Sequence, residues 1–180
     1  MKRHVLLLMT GLLLLLVVLG WNSRQNPLPE VEASEVVEQN SLHPVVEERK
    51  NEWIQRAEQQ GIEVVVTDEY RSVEEQEALY AQGRTTQGEI VTQARGGESY
   101  HNYGLAVDFA LRSPDGELVW DMERDDNGNG EADWTEAVEI AKELGFSWGG
   151  DWPGFKDYPH LEMTFGLSLE ELRAAEQQNT

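Results

Sequence analysis

The polar positions almost vanish over the first 21 residues. Lys2, Arg3 and His4 precede an apolar run from Val5 to Gly20 in which only Thr10 is polar. As a helix this 16-residue run is about 24 Å long, short of a bilayer core of roughly 30 Å. Trp21 can sit at the interface and extend it. Residues 1–21 therefore read as a signal peptide or an uncleaved signal-anchor, with the basic flank inside and the body exported. Val18-Leu19-Gly20 only weakly approximates a small-x-small cleavage site, which favours the anchor. From 22 to 40 the pattern changes. Pro27 and Pro29 lead into Glu30, Glu32, Glu35 and Glu38 with few large apolar residues, as expected of a flexible acidic linker.

Regular periodicity begins after residue 40. Val45, Val46, Trp53, Ile54 and Ala57 have helical spacing, and Gly61 can end that helix. Ile62 to Thr67 is a β-branched run and predicts a strand. Ser72-Val73-Glu74-Glu75 is a capping box opening a helix to about Gln82, with Gly83 behind it. Leu105–Leu111 and Glu117–Trp120 read as strands joined by the turn Pro114-Asp115-Gly116. Trp134 to Leu144 is helical and stops at Gly145, and His160 to Met163 reads as a last strand. Ser168-Leu169-Glu170-Glu171 is a second capping box, opening a short polar tail helix within 167–180. Helices and strands mix without a βαβ rhythm. The expected class is α+β, one small mixed domain over 41–166.

Composition removes several function classes. The chain has 180 residues, a net charge of −20 and no cysteine. No disulfide scaffold, thiol nucleophile or iron–sulfur cluster is available, and any metal must be held by nitrogen and oxygen. With 14 Lys+Arg against 34 Asp+Glu, nucleic acid is not an expected partner, because phosphate binding needs clustered cations. The acidity suits a soluble body, and six tryptophans argue against disorder.

The candidate chemistry lies in two segments. Of four histidines, His4 is in the leader and His43 stands at the linker edge, leaving His101 and His160. Ser99-Tyr100-His101-Asn102-Tyr103-Gly104-Leu105-Ala106-Val107-Asp108 puts a histidine at the mouth of a strand and a carboxylate inside it. Asp108 sits among Val107, Phe109 and Ala110, and a buried carboxylate needs a partner. The second segment, Trp148 to His160, adds another histidine with Asp157 three positions before it. Two histidines and a carboxylate, with water in the fourth position, are the catalytic form of a zinc site. A further carboxylate then serves as general base, with Asp157 preferred over Asp151 and Glu162. Two isolated core histidines with structural hydrogen bonds account for the same residues.

The pattern Ser-x-His-x-x-Gly-x-Ala-x-Asp (Ser99–Asp108) followed by Asp-x-x-His (Asp157–His160) resembles the LAS metallopeptidases. These include D-alanyl-D-alanine carboxypeptidases and peptidoglycan endopeptidases. Tyr70-Arg71-Ser72 and Gln76 match an upstream motif of that family. His-Asn-Tyr-Gly-Leu-Ala-Val-Asp-Phe and Trp-Gly-Gly-Asp-Trp…Phe-Lys-Asp-Tyr-Pro-His are most similar to the L-alanyl-D-glutamate endopeptidases of Gram-positive bacteria and their phages. The resemblance implies a hedgehog/DD-peptidase-like fold whose central antiparallel sheet carries the zinc site. It implies zinc on His101, Asp108 and His160, with Asp157 as base. Arg71, acting on the scissile carbonyl or a substrate carboxylate, is catalytic and substrate-binding, and Gln76 and Ser99 are further substrate contacts. The implied substrate is the peptidoglycan stem peptide, cut between L-Ala and D-Glu. Aspartate rather than glutamate at the base position favours this over a D-alanyl-D-alanine carboxypeptidase, and a retained base argues against a non-catalytic wall-binding module. The expected location is extracytoplasmic, facing the cell wall.

A second ion site is legible between the two segments. Asp125, Asn127, Asn129, Glu131, Asp133 and Glu136 fall at the ligand positions of a twelve-residue calcium loop, with Gly130 at its sharp turn. A helix follows, but a strand-like segment precedes, so this would be an isolated loop. The competing reading is an Asx-rich surface turn with Asp133 as helix cap.

Overall fold

The computed structural model describes residues 27–179. The expected leader, 1–21, and the first part of the linker lie outside the described residues. Five strands form one antiparallel sheet: β1 (Val64–Asp68), β2 (Ala106–Arg112), β3 (Leu118–Val119), β4 (Ser147–Trp148) and β5 (His160–Glu162). Their order is β1-β2-β5-β4. Asp108 on β2 pairs with Asp68 of β1 on one edge and His160 of β5 on the other. Farther along β2, Leu111 pairs with Val64 of β1 and Val119 of β3. The mixed α+β class expected from the alternation is the observed one.

Helices cover one face of the sheet. Helix α2 spans Pro44–Gln59, with His43 as N-cap and Pro44 at a position where a missing N–H costs nothing. Helix α4 spans Asp133–Glu143. Between them and β2, Trp53 meets Phe109 edge-on with ring centroids 5.1 Å apart, and Phe109 stacks on Trp134 at 4.4 Å. Trp53 Nε1 donates to the Ala137 carbonyl at 2.7 Å. All three rings are fully buried, each contributing about 2–3 kcal/mol of apolar transfer free energy. This packing makes β2 a rigid platform for Asp108. Helix α3, Val73–Ala81, begins at the Ser72 capping box that the sequence predicts.

The acidic linker and the polar tail differ from expectation. Ala33–Val37 is a short helix, α1, and α5 spans Leu169–Gln178. The two pack together. Val36 of α1 and Leu172 of α5 are both fully buried, and Leu28 and Val31 join the same core. Residues 28–37 are therefore part of the domain, and the tail helix is its mate. Their apolar residues are too few to signal a core, but each helix needs only one stripe to cover the other. Strand β4 and the turns Tyr100–Tyr103 and Gly149–Asp151 are too short to show a period.

Candidate metal centre and active site

Each ligand candidate arrives on a separate piece of backbone. His101 lies in the 3₁₀ turn Tyr100–Tyr103, capped by Ser99, whose hydroxyl accepts from the His101 N–H. The turn ends at Gly104 in the left-handed conformation (φ 64°). A side chain there would collide with the Ser41 carbonyl, so glycine is required for both reasons. Asp108 projects from the middle of β2, and His160 begins β5 directly opposite it.

Their functional atoms converge. His101 Nε2 lies 3.2 Å from Asp108 Oδ1 and 3.3 Å from His160 Nδ1. His160 Nδ1 lies 3.2 Å from the same carboxylate oxygen. The other nitrogen of each ring identifies its tautomer. His101 Nδ1 donates to the Glu69 carbonyl at 2.6 Å, and His160 Nε2 to Glu162 Oε2 at 3.1 Å. Both acceptors have only lone pairs to offer, so both inward-facing nitrogens present lone pairs too. Three acceptors then face one another, the two rings buried and Asp108 partly exposed at the cleft. That arrangement suits a cation. The triangle edges match the roughly 3.3 Å between ligands of a tetrahedral zinc site with bonds of about 2.0–2.1 Å. Among the described residues this is the one group of three or more His, Asp or Glu side chains whose ligand atoms all lie within 4.8 Å of one another.

The electrostatics agree. Burial works against the Asp108 charge, yet hydrogen bonds from His101 and His160 hold its carboxyl well below the usual carboxylate range. Burial also opposes a charge on His160. Asp108 and Glu162 outweigh it and push this imidazole up to about 9. In the metal-free protein, a proton takes the place of the cation.

The cluster opens into a cleft of about 630 Å³, lined also by Asp68, Arg71, Ser99, Trp152, Asp157 and Glu162. Asp157, the expected base, lines this cleft together with His101, Asp108 and His160. Burial raises its pKa, opposed by the neighbouring His160. Its backbone N–H donates to the Gly149 carbonyl at 3.2 Å. A side chain at Gly149 would collide with the Asp157 carbonyl and sit 3.2 Å from His160 Cβ. The rival Asp151 instead points away to Lys142, 2.9 Å distant, and does not line the cleft.

Arg71 reaches the metal cluster from the α3 side. Its guanidinium bonds Asp68 Oδ2 at 2.5 Å and Gln76 Oε1 at 2.6 Å, and lies 3.7 Å from Asp108 Oδ2. Asn102 donates to the Arg71 carbonyl at 2.8 Å, and Arg71 N–H donates to the His101 carbonyl at 3.0 Å. The Tyr70-Arg71-Ser72 segment and the histidine turn are thus one hydrogen-bonded unit.

Gln76 is corrected by the structure. It is fully buried, donates to the Ala94 carbonyl at 2.8 Å and accepts from Arg71, so it orients the arginine and has no surface for substrate. Asp68 and Glu69 escape sequence reading as working parts, and Glu162 enters it only as a rival base. The signal for Asp68 was a carboxylate ending a strand three residues before Arg71. Glu69 acts through its backbone and left no signal. Its side chain accepts from Lys50 at 2.5 Å, which steadies the segment.

A family model described as D-alanyl-D-alanine carboxypeptidase matches residues 92–163, a range that includes His101, Asp108, Asp157 and His160. The chain is 57% identical over 143 residues to the peptidoglycan L-alanyl-D-glutamate endopeptidase CwlK of Bacillus subtilis strain 168, covering 79% of this chain and 82% of that protein. The chain belongs to the M15 peptidase family. It is also 37% identical over 110 residues to the L-alanyl-D-glutamate peptidase of Listeria phage A118, covering 61% of this chain and 33% of that one. The LdcB LD-carboxypeptidase structure superposes with a TM-score of 0.50 at 20% identity, covering 77% of this chain and 64% of that one. That likeness concerns the fold of this M15 peptidase. The 3.3 Å approach of His101 to His160 shows that the two histidines are not isolated from each other.

The 125–136 loop is built differently. Asp125 accepts the backbone N–H groups of Gly128, Asn129 and Gly130 at 2.7–3.0 Å. The amides of Asn127 and Asn129 meet Glu136 at 2.9 and 2.7 Å. Asp133 is the first residue of α4 rather than its cap, and Ala132 holds the cap position. One Asp133 oxygen accepts from Asp126 N–H at 2.9 Å, and the other is buried without a partner. The Glu131 N–H donates to the Asn129 side chain at 2.8 Å.

Proposed function

We propose that this chain is a zinc-dependent peptidoglycan hydrolase that cleaves the stem peptide between L-Ala and D-Glu. The observation that carries it is the set of three lone pairs from His101, Asp108 and His160, 3.2–3.3 Å apart, in a chain 57% identical to an endopeptidase of that name. Zinc bound there would supply a Lewis acid for the scissile carbonyl and lower the pKa of a water towards ~7. Asp157 takes the proton of the attacking water, to which its raised pKa suits it, and returns it to the leaving D-Glu amine. Arg71 is held over the cluster by Asp68 and Gln76 and stabilises the oxyanion. Ser99 shapes the histidine turn and borders the cleft, where the peptide backbone passes.

Such a substrate requires an extracytoplasmic location, which the basic and apolar leader supports. Among the described residues no helix is long and apolar enough to cross a membrane. Digestion of muropeptides followed by mass spectrometry tests the reading. The expected product carries a new D-Glu amino terminus, and chelator abolishes it. Release of terminal D-Ala instead would overturn the assigned bond.

We also infer that calcium occupies the 125–136 loop. The match of six ligand positions supports this, as does the unpartnered buried oxygen of Asp133. Titration calorimetry with calcium should give a saturable heat. A flat isotherm would leave the loop as an acid-rich turn held by its own hydrogen bonds.

A further inference from the structure

The mechanism leaves one nearly buried carboxylate without a task. Glu162 stands two residues after His160 on β5, so both side chains emerge on one face of the strand. Its side chain is 12% exposed. Its cross-strand neighbours, Ala106 and Ser147, bring no charge. Among the described residues no lysine or arginine lies within ion-pairing distance of it, and its recorded partner is His160 Nε2 at 3.1 Å. A carboxylate this covered needs a hydrogen-bond donor to meet it. The imidazole N–H is that donor.

The pairing has a consequence on the other side of the ring. A neutral imidazole carries one proton. With that proton held on Nε2 by Glu162, Nδ1 must present its lone pair towards Asp108 and His101. The hydrogen bond also restricts rotation of the ring, and the negative charge behind it makes Nδ1 a stronger donor to a cation. His101 receives the equivalent service from a backbone carbonyl, that of Glu69, which no substitution can delete. His160 depends on a side chain.

We propose that Glu162 is the positioning residue of the metal centre, setting the tautomer and orientation of His160. It acts on the cluster through the ring, which stands between its Oε2 and the three ligand atoms. This inference rests on the reading of His101, Asp108 and His160 as a zinc site.

The test is zinc affinity of the full chain, measured by competition with a chelator of known strength, for wild type, Glu162→Met, Glu162→Gln and His160→Ala. Glu162→Met keeps the length and removes the acceptor. It should bind zinc about 10–100-fold more weakly. Glu162→Gln retains an accepting oxygen and should stay within a few-fold of wild type, which guards against a misfolded methionine variant. Nitrogen NMR of the metal-free proteins at a pH where His160 is neutral should show the Nε2–H tautomer in wild type and Glu162→Gln. It should show a mixture in Glu162→Met. At saturating zinc, kcat of Glu162→Met should lie within about tenfold of wild type. Zinc affinity of Glu162→Met within twofold of wild type would overturn the proposal. So would normal affinity combined with a kcat collapse, which would make Glu162 a proton-transfer group. Equal zinc binding by wild type and His160→Ala would instead overturn the zinc site itself, and with it this role.

Discussion

The metal cluster and the 125–136 loop hold comparable collections of oxygen and nitrogen donors, yet they are satisfied in opposite ways. The loop is contiguous. Asp125 and the two asparagines spend their hydrogen-bonding capacity on N–H groups at most a few residues away. Its ends are fixed by α4 and by Asn127 resting on the Gln60 carbonyl. Such a loop holds its shape without a ligand. The metal cluster is assembled from a turn and two strands whose ligands span residues 101 to 160. Its three inward atoms all accept and none donates. A site built by the fold and left short of a positive charge is one suited to a cation. A site built by local hydrogen bonds tolerates an ion but does not require one.

The strongest way to break this contrast is to remove a ligand. His101→Ala or His160→Ala should abolish zinc binding and lower kcat/KM on muropeptides by at least about 10³-fold, since several kcal/mol of transition-state stabilisation disappear. Unchanged hydrolysis by either variant would remove zinc from the mechanism. Asp157→Asn separates chemistry from binding. It should cost about 10²–10⁴-fold in kcat while zinc affinity stays near wild type, a pairing read by kinetics alongside metal analysis.

Acidity offers a reagentless probe. His160 is raised from 6.5 to about 9 in the metal-free protein, so its contribution to stability is complete below about pH 6.5 and lost as pH rises through 9. Asp108 is shifted the other way, and its contribution fails only in strong acid. Thermal melts of chelated protein should therefore fall in temperature between pH 6.5 and 9. Zinc displaces the His160 proton, so its affinity should climb about tenfold per pH unit towards 9. A melting temperature of chelated protein flat across that window would show that the imidazole is not carrying the cation's charge.

Smaller effects sharpen the same comparison. Gly149→Ala should cost about 1–3 kcal/mol of stability and shift Asp157 and His160 together, because the new methyl group meets both. A crystal structure of that variant with both residues unmoved would contradict the packing argument. Asp125→Ala should cost only about 0.5–2 kcal/mol, comparable to losing a helix cap, and leave kcat within a few-fold. A large loss of activity would mean that the loop acts on the cleft and is no passive turn.

Much of the molecule is readable along the chain because its causes are local. The capping boxes at Ser72 and Ser168, the helix stop at Gly145, and the β-branched run before Asp68 each depend on neighbours within a few residues. The motifs alone single out His101, Asp108, His160 and Asp157 as candidates. Reading failed where burial came from afar. Val36 looks like part of an acidic stretch until α5, packed against α1 from across the chain, accounts for its burial. Gln76 looks like a substrate contact until its amide is seen buried against Ala94 and Arg71.

The sequence by itself determined the donor chemistry of this protein. Without cysteine, and with two histidines in its body beyond the linker edge, it restricts a metal to imidazole and carboxylate. Only the tertiary structure decided which atoms of those residues face inward. The strand register sets Asp108 opposite His160. The Glu69 carbonyl and the Glu162 carboxylate then claim the ring protons, leaving three lone pairs within 3.3 Å. That outcome depends on hydrogen bonds between segments far apart in the chain, whose geometry exists only once the sheet has formed.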